Sequence, residues 1–142
     1  MEGTPKIKVF MCVLPFSGHY IPLLRIADAL EATGRFAVRI ASSSFEIPKM
    51  SRQYPKLSMI PLEDPNQALV ERILEQTELP FIYYKDVWTE QLNRCLTENR
   101  PDVVVVDVFS TAAMELAHQL HIPMVINCPV LHNISVCWAY QP

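Results

Sequence analysis

Apolar residues along this chain follow two different patterns, continuous runs and a helical spacing, which predict strands and helices that follow one another. The first apolar run, 7–14, is β-branched and almost continuous, as expected for a strand buried on both faces. Elsewhere apolar residues recur three and four positions apart, which predicts helices with one buried face. The predicted strands are 7–14, 36–41, 57–62, 103–106 and 123–127, and the predicted helices are 22–32, 66–76, 80–98 and 110–120. The polar segment 42–56, which two prolines interrupt, is predicted as a loop with at most a short helical turn.

This order of elements predicts a doubly wound α/β domain with a parallel sheet, a Rossmann-like fold. Strands that are separated by helices pair in parallel through right-handed crossovers. The simplest strand order is 3-2-1-4-5, which makes the first and fourth strands neighbours where the winding reverses. Ligands of such sheets bind beyond the carboxyl ends of the strands at that point.

Two candidate residues fall at this switch point. His19 follows the first strand, just before the helix that Pro22 is predicted to open, and Asp107 closes the fourth strand. A histidine beside a carboxylate can act as a general base, because the acid orients the ring and stabilises the imidazolium that forms. The sequence also allows a structural role for each residue. His19 can be an exposed loop residue, and Asp107 can be a turn residue that closes a strand. Asp102 opens the same strand at the far side of the sheet and fits a structural role.

Other side chains near this point allow a ligand site or a purely structural role. Gly18 lets a ligand approach the backbone at a helix N-terminus, where a phosphate or a sugar hydroxyl could bind. An aromatic stripe at helical spacing more often belongs to a core, although it can line an apolar pocket. This stripe consists of Phe81, Tyr84 and Trp88. His118 and His121 are interpreted as structural, the first at a solvent edge and the second in a left-handed backbone conformation.

Composition and the absence of several motifs exclude other function classes. Hydrophobic residues make up 50% of the chain, and 12 basic against 15 acidic residues give a net charge of −3, which disfavours nucleic acid and anionic membranes as partners. The four cysteines have no zinc-ligand spacing, so no metal site is expected. The G-x-G-x-x-G, P-loop and G-x-S-x-G motifs are missing. The apolar run at the N-terminus is too short to cross a bilayer, and a cytoplasmic protein is expected.

Two longer stretches resemble a known family. The stretch from Phe16 to Gly34 reads F-S-G-H-Y-I-P-L-L-R-I-A-D-A-L-E-A-T-G and resembles the opening G-H-x-x-P-L-L-x-L-A-x-x-L-x-x-x-G of UDP-dependent glycosyltransferases with the GT-B fold, family 1 and its relatives. The stretch from Pro101 to Pro123 reads P-D-V-V-V-V-D-V-F-S-T-A-A-M-E-L-A-H-Q-L-H-I-P and resembles that family's P-D-x-x-x-x-D-x-F-x-x-x-x-x-x-A-x-x-L-G-I-P segment. Both stand in the family's order and about 90 residues apart, as in its N-terminal domain.

The resemblance implies a reaction and a role for each matching residue. The chain would be the first part of a GT-B N-terminal domain, and it would transfer a sugar, with inversion, from a nucleotide sugar to the hydroxyl of a small-molecule acceptor. His19 would be the base that deprotonates the acceptor, and Asp107 would be the acid that pairs with it. The acceptor-binding residues would be Phe16, Gly18, Phe81 and Trp88. The implied scheme needs no metal and no cofactor besides the UDP-sugar donor.

The chain also departs from the family, above all in length. The family has two domains with on the order of 400 residues or more, whereas this chain of 142 residues corresponds to a partial N-terminal domain. The donor-binding C-terminal domain is expected to be missing, so the chain alone is expected not to turn over. That domain would be supplied in cis by a longer product or in trans by a partner of a split glycosyltransferase. A non-catalytic α/β binding module is the third interpretation.

Overall fold

The computed structural model describes residues 3–64 and 80–128, with the backbone alone for 80–83. The strands are β1 Ile7–Cys12, β2 Phe36–Ser43, β3 Ser58–Leu62, β4 Val103–Asp107 and β5 Met124–Asn127. The helices are α1 Ser17–Ala32, α2 Ile47–Gln53, α3 Pro80–Glu98 and α4 Thr111–Gln119. The helix predicted at 66–76 and the side chain of Phe81 lie outside the described residues.

All five described strands form one parallel sheet in the order β3-β2-β1-β4-β5, which confirms the predicted Rossmann-like topology. β1 is central and pairs with β2 on one side and β4 on the other. The strands therefore wind outward from β1 in both directions, and the carboxyl ends of β1 and β4 open onto the same edge. This placement brings the segments after β1 and β4 together.

Helices cover both faces of the sheet, because successive strand residues point to opposite sides. Phe10 and Cys12 of β1 pack with apolar residues of α3 and α4, whereas Val9 and Met11 pack with α1 and α2. Burial on both faces explains why β1 and β4 read as continuous apolar runs rather than as alternating ones. The two cores fix which strand residues face α1, and this orientation determines what surrounds the site.

Helix α1 begins five residues earlier than predicted. Pro22, which was expected to open the helix, lies inside it, and the helix begins at Ser17. A proline has no N–H, so Pro22 gives no helical hydrogen bond to the carbonyl of Gly18. Gly18 is exposed, and solvent can therefore reach this end of the helix. The other end agrees with the prediction, since Gly34 follows the helix with φ at 72°.

The segment 42–56 is more ordered than predicted. Its first two residues extend β2, and the buried hydroxyl of Ser42 donates to the carbonyl of Val13 at 2.9 Å. A helix of seven residues, α2, follows, and Met50 fills the core on the α1 side. Polar composition suggested a loop, but buried hydroxyls with backbone partners are compatible with the end of a strand. His121 agrees with its structural interpretation, with φ at 51°.

Candidate functional site

The structure brings together the two side chains that the sequence placed at the switch point. His19 Nδ1 and Asp107 Oδ2 are 2.8 Å apart, although the two residues are 88 positions apart in the chain. The Asp107 side chain is fully buried, whereas 22% of the His19 side chain is exposed. The pair therefore has a dry inner partner and an outer partner that a ligand can reach.

The start of α1 holds His19 in place. The carbonyl of Phe16 accepts hydrogen bonds from the N–H groups of both His19, at 2.8 Å, and Tyr20, at 3.0 Å. Phe16 itself is extended, with φ at −111° and ψ at 132°, so the chain turns sharply from β1 into the helix. His19 therefore lies in the first helical turn, and not in a loop ahead of the helix as predicted. A ring on a helix is held more precisely than a ring on a loop.

Asp107 has two roles, one for each carboxylate oxygen. Oδ1 accepts a hydrogen bond from the Phe109 N–H at 2.9 Å, and the Asp107 carbonyl accepts one from the Ser110 N–H at 2.9 Å. These bonds form the turn that closes β4, as the structural interpretation expected. Oδ2 binds His19. Asp107 therefore closes the turn as the structural interpretation expected and also contacts His19, and its catalytic role stays a prediction.

This geometry can prepare a histidine for proton transfer. A carboxylate only accepts hydrogen bonds, so the ionised Asp107 fixes the proton of the imidazole on Nδ1. Nε2 is then left with its lone pair and can take a proton from a bound hydroxyl. The buried carboxylate also stabilises the imidazolium that results, and this attraction is stronger in a dry site than in water.

The floor of the site is dry, as Cys12 at the end of β1 indicates. Cys12 is 1% exposed, and its carbonyl accepts a hydrogen bond from Ser110 Oγ at 3.2 Å. Burial raises the pKa of the Cys12 thiol to about 12, and the charge of Asp107 contributes to the rise, while the Ser110 side chain acts against it. The Asp107 side chain is itself fully buried, so solvent does not reach the inner partner of the pair.

Aromatic rings flank His19. Phe16 meets the imidazole edge-on, with ring centroids 6.1 Å apart, and Phe109 is tilted against it by 59°, with centroids 5.4 Å apart. The sequence prediction included Phe16 and missed Phe109, although the V-D-V-F spacing places Phe109 only two residues after Asp107. Both rings are half-buried, so they can also contact a ligand at the imidazole. These apolar walls fit a ligand with an apolar or aromatic skeleton.

The aromatic stripe of α3 lies mainly in the core. Tyr84 and Trp88 are 1% and 2% exposed, and their tilted rings are in contact with centroids 4.5 Å apart, which confirms their interpretation as core residues. The cavity beside them, bounded also by Phe109, measures about 10 Å³, roughly the space of one water molecule. Acceptor contact through Trp88 stays a prediction. Gly18 lies in the first turn of α1, and its Cβ position faces open space, so its predicted ligand contact is sterically possible.

Two other kinds of feature, a metal-binding cluster and a membrane-spanning helix, are absent from the described residues. Within 3–64 and 80–128, no group of three or more His, Cys, Asp or Glu residues is arranged to hold a metal ion. None of the described helices is long and apolar enough to cross a membrane.

No protein-family model and no curated protein sequence matches this chain, but solved structures of glycosyltransferases do. SnogD from Streptomyces nogalater has a TM-score of 0.71 at 22% identity over 88% of this chain. CalG4, the calicheamicin glycosyltransferase, has a TM-score of 0.68 at 16% identity over 97% of this chain. SsfS6, a Streptomyces sp. SF2575 glycosyltransferase complexed with thymidine diphosphate, has a TM-score of 0.66 at 15% identity over 86% of this chain. This chain spans 33%, 34% and 38% of their respective lengths. The described chain thus has the Rossmann-like fold found in GT-B glycosyltransferases.

Proposed function

We propose that this chain is the acceptor-binding part of an inverting glycosyltransferase, which transfers a sugar from a nucleotide sugar to a hydroxyl of a small apolar acceptor. The observation that carries the proposal is the 2.8 Å contact between His19 and a fully buried Asp107. Two half-buried aromatic rings beside the imidazole support an apolar acceptor. The fold shared with solved glycosyltransferases supports the reaction class.

In the proposed reaction, His19 Nε2 takes the proton of the acceptor hydroxyl. The oxygen attacks the anomeric carbon of the sugar, a new C–O bond forms, and the bond to the nucleotide diphosphate breaks with its electron pair on the leaving phosphate. A single displacement of this kind inverts the anomeric configuration. Asp107 keeps the ring oriented and balances the positive charge of the imidazolium.

The donor half of the site is proposed to lie in a further domain, in the same product or in a partner chain. The chain spans about a third of the solved structures it resembles, so a nucleotide sugar would bind between this part and the rest. The resemblance in sequence favours UDP, while SsfS6 was solved with thymidine diphosphate. The free thiols of Cys12, Cys95 and Cys128 support a reducing compartment, for which we propose the cytoplasm.

The test is sugar transfer by this chain fused to the donor-binding domain of a solved glycosyltransferase such as SnogD. Nucleotide release is measured with and without a panel of phenolic and alcoholic acceptors. We expect His19→Ala to lower kcat by about 10²–10⁴-fold, the usual contribution of general base catalysis. His118→Ala, which removes an exposed histidine of α4, is the matched control and is expected to keep the wild-type rate.

Four outcomes distinguish the interpretations. Transfer that depends on His19 supports the proposal, and restoration by a separate donor-binding chain supports a split enzyme. Acceptor binding that survives both His19→Ala and Asp107→Ala, without turnover under any condition, indicates a non-catalytic binding module. Acceptor-dependent nucleotide release by the unfused chain contradicts the expected need for a donor domain.

A further inference from the structure

A buried amide lies beside the His19–Asp107 pair and is not used by it. Asn127 ends β5 and is the direct register partner of Asp107 across the β4–β5 pairing. Its carbonyl accepts a hydrogen bond from the Val108 N–H at 2.9 Å. Among the described residues, nothing accepts a hydrogen bond from its side-chain Nδ2, which is buried.

The Asn127 side chain points to the same face of the sheet as His19. Val105 and Val125, two residues before Asp107 and Asn127, both belong to the core that packs against α1. Residues two apart in a strand share a face, so the side chains of Asp107 and Asn127 are both directed toward α1, which carries His19. Opposed residues of neighbouring strands have Cβ atoms about 5 Å apart. The amide and the carboxylate are therefore adjacent at the edge where the proposed acceptor binds.

A buried N–H without a partner is costly, and it usually marks a role. No hydrogen bond joins Asn127 Nδ2 to the neighbouring Asp107 carboxylate, whose oxygens bind His19 and the Phe109 N–H. A group that arrives only with the ligand would satisfy it. In the proposed reaction that group is the acceptor oxygen, which becomes negative as His19 removes its proton, and a fixed N–H donor stabilises such charge.

We propose that Asn127 is the third catalytic residue of this site, and that its Nδ2–H donates a hydrogen bond to the acceptor oxygen that His19 deprotonates. The proposal rests on the proposed function. The proton passes from the acceptor oxygen to His19 Nε2, the electron pair stays on the oxygen, and Asn127 exchanges no proton. The same geometry favours acceptors whose hydroxyl ionises readily, such as phenols.

The test measures binding of para-nitrophenolate, which carries an anionic oxygen, and of para-nitroanisole, which does not, to the 142-residue chain. Dissociation constants come from calorimetry, and the phenolate absorption band reports hydrogen bonding to its oxygen. We expect Asn127→Ala to weaken para-nitrophenolate binding roughly 10- to 100-fold, as for a hydrogen bond to a charged group. The affinity for para-nitroanisole is expected to change less than about twofold, because its oxygen carries no charge.

Two further variants separate a lost donor from a damaged fold. Asn127→Asp keeps the shape but replaces the donor by a negative charge, and it is expected to weaken para-nitrophenolate binding more than Asn127→Ala does. Asn127→Ser keeps a shorter donor, and it is expected to recover part of the affinity and of the absorption shift. Asn99→Ala, at the opposite edge of the sheet, is the matched control, since the Asn99 side chain accepts a hydrogen bond from Lys8 Nζ, away from His19.

The outcomes separate this proposal from the proposed function. Selective loss of para-nitrophenolate affinity and of its absorption shift in Asn127→Ala and Asn127→Asp supports the role of Asn127. Binding that is unchanged in the Asn127 variants but lost in His19→Ala overturns that role and leaves the proposed function standing. If the wild-type chain does not prefer para-nitrophenolate to para-nitroanisole, the role of Asn127 fails, whereas the proposed function is decided separately by the dependence of sugar transfer on His19 in the fusion.

Discussion

The two ends of β4 carry the same residue type with opposite surroundings. Asp102, just before the strand, is exposed, and its Oδ2 accepts a hydrogen bond from the Lys8 N–H at 2.7 Å. Asp107, the last residue of the strand, is fully buried, and it binds both His19 and the Phe109 N–H. The first aspartate ties β4 to β1, whereas the second holds a side chain that can react.

The difference follows from the direction of the strands. In a parallel sheet all carboxyl ends lie at one edge, and the turns that leave them begin helices whose N-termini and side chains face that edge. At the amino ends of the strands, helices end and the chain enters the sheet. An aspartate there can accept a hydrogen bond from a backbone N–H of a neighbouring strand. Burial of Asp107 is tolerated because both of its oxygens have partners.

The largest expected effect is on sugar transfer. In the fusion with a donor-binding domain, Asp107→Ala is expected to lower kcat by about 10²–10⁴-fold, because His19 loses the group that fixes its tautomer and balances its charge. Asp102→Ala is expected to leave kcat within roughly threefold, since Asp102 lies at the other edge of the sheet. Initial rates at saturating acceptor check this, and equal losses in the two variants would contradict a special role for the carboxyl edge.

The second expected effect concerns access to the floor of the site. Cys12 has a pKa of about 12 in place of 9.0, so its thiolate fraction near neutral pH is about a thousandfold below that of an ordinary thiol. Iodoacetamide is therefore expected to modify Cys12 only after unfolding, and half-buried Cys95 earlier. Peptide mass spectrometry over time measures both rates. Early labelling of Cys12 in the native chain would show that its thiol is accessible without unfolding.

The third expected effect is on folding stability. Asp107→Ala removes the carboxylate that accepts a hydrogen bond from the Phe109 N–H in a partly buried turn, which is expected to lower the free energy of unfolding by about 1–3 kcal/mol. Asp102→Ala exposes the Lys8 N–H to solvent, which can hydrogen-bond it, so a loss of about 1 kcal/mol or less is expected. Urea unfolding of both variants measures the difference. A larger loss in Asp102→Ala would reverse the comparison.

The smallest expected effect is a pH dependence at a second carboxyl of the same edge. Asp64 follows β3 and accepts a hydrogen bond from the buried Ser43 hydroxyl, and burial raises its pKa above 3.8 despite this bond and the nearby Trp88 side chain. The folded chain then holds the Asp64 proton more tightly than the unfolded chain does. Its contribution to stability is therefore present below pH 3.8 and is lost as the pH rises through the raised pKa.

Asp64→Asn removes this loss, so stability is expected to fall less between about pH 4 and about pH 7 in the variant than in the wild type. Unfolding free energies at both pH values measure the change, and Asp102→Asn, at the exposed edge, is the control. An unchanged pH dependence in Asp64→Asn would show that the folded chain does not favour the protonated carboxyl.

Much of the fold was predictable from the sequence, because strands buried on both faces leave continuous apolar runs. The alternation of elements then implied the order 3-2-1-4-5 and the meeting of His19 with Asp107. The start of α1 was not predictable from Pro22, since a proline signals a first helical turn but does not forbid a turn before it. The segment 42–56 was misjudged because Ser42 and Ser43 are polar, yet both hydroxyls find partners inside the fold.

The sequence by itself determined which residues carry the candidate chemistry and at which edge of the sheet they lie, because strand order follows from local patterns and handedness. Only the tertiary structure decided what surrounds them. The closeness of Phe109 to the imidazole depends on a turn, and the place of Asn127 beside Asp107 depends on the register of β4 with β5. Register is a property of the packed sheet, since a shift of β5 by one residue would turn the Asn127 side chain to the other face.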